Sequence, residues 1–378
     1  MKAKRSKRIK DYITIAVFLV LLYVPNLVIP MFGRFMNLDF ATKQVTSDSP
    51  VLTLKNIEKY PATFDKVFDN NLPFRDLVGE AWARINYFAL HDSANSGVLI
   101  GKTDDKDERR WLFYSNDDDH NPVENTQGIV KYDQVLFEES AKVMEVNKKE
   151  LNKQNIKSLY AIVPNKETIY KEKLPDSVKI YSDKTRTDDF IEYLNSNKVA
   201  NFVYLKNELL RAKENGQVYW RQDTHWNEYG AGMAFKRIIK ELKLDYEPKF
   251  DYSFTNEQVD RDLATMLKIT DYFEDDVPVL DYKNNSRDYK LEKISKNNTI
   301  IVSKNETAPV KKSILIVGDS FRDVMGEICF RTFRKCILMH RSDYDESVLK
   351  KYNVEIVIFE FVERYIPSIK DFYIINKQ

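Results

Sequence analysis

Lys312-Ser313-Ile314-Leu315-Ile316-Val317-Gly318-Asp319-Ser320-Phe321 is the stretch on which the fold turns. Ile314 to Val317 is an unbroken apolar run, the pattern of a strand covered on both faces in a parallel sheet rather than one with a wet side. Gly318-Asp319 then turns the chain, and Phe321 to Glu327 reads as the first turns of a helix. Ser320 falls just past the carboxyl end of the strand, where open α/β sheets form their ligand crevices. A serine there is either an ordinary turn residue, with Asp319 or Ser320 capping the helix, or a nucleophile whose backbone N–H and helix dipole stabilise an oxyanion.

A second segment, Asp223-Thr224-His225-Trp226, favours the nucleophile. The chain has only four histidines, and this one stands two residues after an aspartate. A serine hydroxyl becomes reactive when an imidazole takes its proton and a carboxylate holds that imidazole in one tautomer. Ser320, His225 and Asp223 are the expected nucleophile, base and orienting acid.

Outward from these segments the chain alternates strand and helix patterns. Residues 156–163, 199–204, 335–339 and 354–359 read as further strands, and 125–153, 187–197, 205–214, 227–242 and 347–352 as helices. That alternation predicts an α/β fold, a three-layer sandwich around a mostly parallel sheet. Residues 98–102 and 111–114 read as a hairpin. Two amphipathic helices are expected over 60–90, the second with Leu77, Ala81, Ile85 and Phe88 on its apolar face. Residues 243–311, polar and aromatic-rich, read as an inserted β-rich segment.

The amino terminus reads as a membrane anchor. Lys2, Lys4, Arg5, Lys7, Arg8 and Lys10 precede an uncharged stretch over 12–32, of bilayer-spanning length and interrupted by Pro25 and Pro30. The expected organisation is a cytoplasmic basic tail (1–11), a transmembrane signal anchor (12–32), a juxtamembrane linker (33–60, with a strand or short helix near 51–54) and an extracytoplasmic domain (61–378). This places the protein in the cell membrane as a single-pass chain. Lys and Arg total 59 against 58 Asp and Glu, so no basic footprint points to nucleic acid. Cys329 and Cys336 are too few for a structural zinc site and form no redox pair motif; they are free buried thiols or one disulfide. The acidic run Asp117-Asp118-Asp119 before His120 reads as a solvated loop rather than a metal site. No cofactor and no metal are expected.

Several further segments carry a resemblance through their order along the chain: Phe68-Asp69-Asn70-Asn71-Leu72-Pro73-Phe74-Arg75-Asp76; Val98 to Lys102 with Trp111 to Tyr114; Pro164-Asn165-Lys166 with Tyr170 and Leu174-Pro175; Asp223 to Asn227; Asp262-Leu263-Ala264-Thr265-Met266-Leu267; Gly318 to Phe321; and Phe361-Val362-Glu363-Arg364-Tyr365. With these motifs the chain resembles the alginate O-acetyltransferase family, a branch of the SGNH-hydrolase superfamily in which the histidine block precedes the serine block. The resemblance implies an SGNH-like fold and polysaccharide O-acetylation through an acyl-Ser320 intermediate. It further implies a polysaccharide acceptor and an acetyl donor supplied by a multi-pass (MBOAT-type) membrane acyltransferase. Acetyl-ester hydrolysis by the same triad and a non-catalytic glycan-binding scaffold are the alternatives. Tyr344 and Arg364 are candidates for oxyanion or sugar contacts. Tyr344 is otherwise a packed aromatic, and Arg364 a partner of Glu360 or Glu363. Lys166 either lines the site or caps a strand end, and Trp226 is either a sugar platform or a wall of the fold.

Overall fold

The computed structural model describes residues 75–104, 107–199, 201–283, 288–293 and 299–375, together with isolated positions before residue 75. It divides into two compact units, Met1–Ala89 and Leu90–Gln378. In the first, α1 (Arg75–Ile85) ends in a wider π turn, Asn86–Leu90. Ala83, Asn86 and Tyr87 are buried while Ala81, Ile85 and Phe88 are exposed, contrary to the expected stripe.

The expected anchor and the single-pass membrane localisation built on it are corrected. A bilayer core of about 30 Å requires about 20 consecutive apolar helical residues. Among the described residues no helix is long and apolar enough to cross a membrane. Within 12–32 the described positions are Tyr12, Ile15, Ala16, Phe18 and Leu19, all helical and exposed. The rest of that segment, the basic tail, Phe64, Val67 and Phe68 of the first expected amphipathic helix and nearly all of the linker lie outside the described residues.

The second unit begins with the hairpin β1 (Val98–Asp104) and β2 (Asp107–Tyr114). The single long helix expected over 125–153 is two, α2 (Pro122–Gln127) and α3 (Gln134–Lys153). Gly128 separates them at φ 76°, a left-handed cap that a side chain resists. Asp133 then caps α3 by accepting the Leu136 N–H. β3 (Lys157–Val163), α4 (Lys166–Ile169), α5 (Arg186–Ser196), β4 (Phe202–Tyr204), α6 (Lys206–Lys213) and α7 (Glu228–Glu241) follow. The 243–311 segment holds β5 (Phe250–Gln258), α8 (Asp262–Leu267), β6 (Glu274–Tyr282), β7 (Lys290–Lys293) and β8 (Ile300–Lys304). The chain closes with β9 (Val310–Gly318), α9 (Phe321–Val324), α10 (Gly326–Thr332), β10 (Phe333–His340), α11 (Ser347–Lys351), β11 (Ile356–Val362) and a 3-10 helix, Glu363–Asp371.

Seven strands form the main sheet in the order β4-β3-β11-β9-β10-β8-β7. The first five run parallel, whereas β8 and β7 join antiparallel. The sheet is therefore mixed, because the inserted segment supplies its far edge; β5 and β6 pair as a separate antiparallel ribbon.

Alternation along β9 and β11 explains the layers. Ile314, Ile316, Ile356 and Ile358 point into one core with Leu209, Ala231, Ala234, Phe235 and Ile238 of α6 and α7. Leu315, Val317, Val357 and Phe359 point into another with Phe137, Met144, Phe190, Leu194 and Val348 of α3, α5 and α11. Strands with both faces covered need no polar alternation, which is why the runs around Ile314 and Ile356 are continuously apolar.

Candidate functional site

The segment carrying Asp223 and His225 is a tight loop whose stem is the antiparallel bridge between Tyr219 and Trp226. The Trp220 N–H donates to the His225 carbonyl at 3.3 Å, and the Asn227 N–H to the Val218 carbonyl at 3.1 Å. Asn227 then caps α7 by accepting the Gly230 N–H at 2.9 Å. Asp223 and His225 are thus fixed at the loop tip by a stem on one side and a helix on the other.

Ser320 is held by a different device. Asp319 accepts the Phe321 N–H at 3.1 Å and the Val362 N–H at 2.9 Å, tying the end of β9 to the end of β11. Glu360, fully buried on β11, accepts the Asp319 N–H at 3.1 Å. Burial, with the Asp319 charge adding to it, pushes the Glu360 carboxyl well above the ordinary range. Residue 318 must be glycine here, since a Cβ would stand 2.4 Å from Glu360 Oε2 and 2.6 Å from its carbonyl. The helix after Ser320 is shorter than expected: α9 ends at Val324 and a separate α10 begins at Gly326.

The two devices bring the three expected residues into one row. Ser320 Oγ lies 2.6 Å from His225 Nε2, and His225 Nδ1 lies 2.6 Å from Asp223 Oδ1. Asp223 Oδ1 also accepts the His225 N–H at 2.9 Å, so the two-residue spacing lets one carboxylate hold both backbone and ring. Ser320 is exposed, His225 half-buried and Asp223 buried, so the row leads from solvent into the protein. Burial opposes charge on both inner groups. The hydrogen bond and charge of His225 nevertheless hold the Asp223 carboxyl well below its usual range. Burial at His225 is outweighed by Asp223, which accepts from its ring, and by the nearby Asp262 carboxylate, and together they raise the imidazole to about 9. Such a row can move a proton from a serine hydroxyl to an imidazole and back.

Asp262 was expected only as part of a resembling segment, with no role. Its Oδ2 stands 3.6 Å from His225 Nδ1. Among the described residues Asp223, His225 and Asp262 are the one group with metal-ligand spacing, their ligand atoms lying within 4.8 Å. All three are engaged in hydrogen bonds to one another, to Thr224 or to Ser320.

The remaining candidates separate. Lys166 is buried beneath the loop, and its ammonium donates to the carbonyls of Trp220, Arg221 and Asp223 at 3.3, 3.1 and 2.6 Å. Burial, partly offset by nearby carboxylates, lowers its pKa to about 8. It neither lines an open site nor caps a strand. Trp226 is fully buried, its indole N–H donating to the Phe321 carbonyl at 2.9 Å, so it is a wall between the His225 loop and α9 rather than a sugar platform. Tyr344 packs in the opposite core against Phe372 and donates to the Ile374 carbonyl at 2.7 Å, so the sheet separates it from the row. Arg364 stays close: its guanidinium lies 5.6 Å from the ring of Phe321, which in turn is 4.8 Å from the His225 ring. Its partner is Asp119, at 3.4 Å, rather than Glu360 or Glu363. The acidic run is thus not wholly solvated, because Asp119 also accepts from the Tyr365 hydroxyl at 3.1 Å. Cys329 and Cys336 are free and buried.

Comparison with known proteins agrees with this architecture. Residues 106–323, more than half of the chain, match the family described as SGNH hydrolase-like domain, acetyltransferase AlgX. A probable alginate O-acetylase AlgJ of Pseudomonas aeruginosa is 27% identical across 52% of this chain, a match spanning 45% of that protein's length. The AlgJ of Pseudomonas syringae pv. tomato is 23% identical, with 97% of this chain and 90% of that protein covered. In fold, the chain is similar to Bacillus cereus PatB1, at a TM-score of 0.52, 16% identity and coverage of 73% of this chain and 99% of that one. The match over residues 106–323 shows that the chain belongs to the SGNH hydrolase-like family of the acetyltransferase AlgX.

Proposed function

We propose that this protein is a polysaccharide O-acetyltransferase that works through an acyl-Ser320 intermediate. The observation that carries the reading is the unbroken row from Ser320 Oγ through His225 to Asp223, 2.6 Å at each step. His225 Nε2 takes the Ser320 proton while Oγ bonds to the carbonyl carbon of an acetyl donor. The donor's leaving oxygen departs with the proton that His225 returns. In the second half, His225 takes the proton of a glycan hydroxyl, whose oxygen attacks the acetyl carbon; Ser320 leaves and recovers its proton. Asp223 holds the Nδ1 proton throughout and stabilises the imidazolium. The Ser320 backbone N–H, at the head of α9, is a donor available to the oxyanion.

Names of the relatives, probable alginate O-acetylases, support a polysaccharide hydroxyl as acceptor. The family resemblance supports a multi-pass membrane acyltransferase of the MBOAT type as the source of the acetyl group. Transfer and hydrolysis differ only in whether a bound hydroxyl outcompetes water at the acyl-enzyme. Incubation with an aryl acetate and a glycan acceptor, followed by mass spectrometry, should give acetylated glycan, and Ser320→Ala should lower turnover by about 10⁴-fold or more. Release of acetate alone would assign an esterase, and full activity in Ser320→Ala would remove the nucleophile.

A further inference from the structure

We infer that Asp262 is a second carboxylate partner of His225, a positioning residue that the inserted segment contributes to the reaction centre. This deepens the acyl-transfer reading and rests on it.

Asp262 opens α8, and its carboxylate spans two neighbours. Oδ1 accepts the Thr224 N–H at 2.9 Å, and Oδ2 accepts the Thr224 hydroxyl at 2.5 Å while standing 3.6 Å from His225 Nδ1. The Asp262 N–H reaches back to Asp223 Oδ2 at 3.4 Å, and the Leu263 and Ala264 N–H groups donate to the Gln222 carbonyl at 3.1 and 3.3 Å. The first turn of α8 therefore grips residues 222–224 and sets a second carboxylate near the imidazole Nδ1, 3.6 Å away beside the 2.6 Å contact to Asp223. Holding Thr224 needs only an acceptor. A full negative charge at this distance does more, because it stabilises the imidazolium that forms whenever Ser320 gives up its proton.

The charged groups facing His225 are Asp223 on its own loop, Asp262 on α8 and Asp323 on α9, with Lys166 of α4 acting on both Asp223 and Asp262. Asp262 can be neutralised without touching the Asp223–His225 bond. That makes its contribution separable.

The test is the pH dependence of kcat/KM for aryl-acetate turnover by the full chain. His225 must be neutral to accept a proton, so carboxylates that favour its charged form move the acid limb to higher pH. In the wild type this limb should lie above the ordinary histidine value of about 6.5. Asp262→Asn and Asp262→Ser both remove the charge and keep an acceptor for Thr224. Each should move the limb about one unit to lower pH and lower the plateau roughly threefold, as the base weakens. Thr224→Val keeps the Asp262 charge but removes a hydroxyl 3.3 Å from His225 Nδ1, so any movement of the limb should be smaller than in the Asp262 variants, whatever its effect on rate. An unmoved limb in the Asp262 variants, or an equal shift in Thr224→Val, would overturn the inference. The imidazole resonance of His225 should show the same shift by NMR without turnover. Loss of wild-type turnover with that NMR shift intact would sink the acyl-transfer reading alone, whereas normal turnover with no shift would sink this one alone.

Discussion

Glu360 shows how much a single buried carboxyl can fix. It occupies a core-facing position of β11 between Ile358 and Val362, touches the backbone at Gly318 and accepts the Asp319 N–H. Burial favours its neutral form, in which it accepts the Asp319 N–H at a smaller desolvation cost than a carboxylate would carry. Glu360→Gln should therefore preserve the turn, with thermal stability within about 1 kcal/mol of wild type. Glu360→Ala should cost about 2–4 kcal/mol by opening a cavity and orphaning the Asp319 N–H, measured by denaturant unfolding. Equal losses in the two variants would show that the hydrogen bond is unimportant. None of this was legible in the segment Ile356-Val357-Ile358-Phe359, because a lone glutamate just beyond an apolar run gives no sign of which backbone group it will meet. Gly318-Asp319-Ser320, by contrast, was legible as a turn at a strand end, since glycine and β-branched residues report local backbone constraints directly.

At the scale of elements, the His225 loop is a short stem whose tip is held from three directions. Lys166, in the first turn of α4, supplies its ammonium to three loop carbonyls; Asp275 of β6 accepts the Arg221 N–H at 2.7 Å; α8 binds from the remaining side. Lys166→Met keeps the stem volume but removes the ammonium from those carbonyls, of which that of Arg221 still accepts the Leu112 N–H at 2.9 Å. It should cost about 2–4 kcal/mol of stability and lower kcat more than it raises KM, because the loop would lose its order rather than its surface. Unchanged kcat in a destabilised but folded Lys166→Met would limit the lysine to a purely structural part. The sequence placed α7 after the histidine, where the Asn227 cap and the apolar spacing are local signals, but read Pro164-Asn165-Lys166 only as the stop of a strand and not as the start of α4. It did not show that α4 and α8 meet under one loop, because that proximity arises only from how β3 and the inserted segment pack.

Over the whole molecule, residues 90–378 contain the sheet, both cores and every member of the Ser320 row. A chain beginning at Leu90 should fold alone, unfold in one cooperative transition, and be labelled at Ser320 by a serine-directed sulfonyl fluoride. A broad, non-cooperative melt would mean that residues 1–89 complete the core. The inserted 243–311 segment is more integral than its composition suggested. It extends the sheet through β8 and β7, and it brings Asp262 and Asp275 to the His225 loop. The sequence by itself determined the α/β alternation, the strand-end place of Ser320 and the pairing of Asp223 with His225, since periodicity and two-residue spacing are local properties. Only the tertiary structure decided that His225 meets Ser320 across 95 residues of chain, that Tyr344 lies behind the sheet while Arg364 stays near, and that a second carboxylate faces the imidazole. Those outcomes depend on strand order and on which buried polar groups find partners, and neither is written in any single stretch of residues.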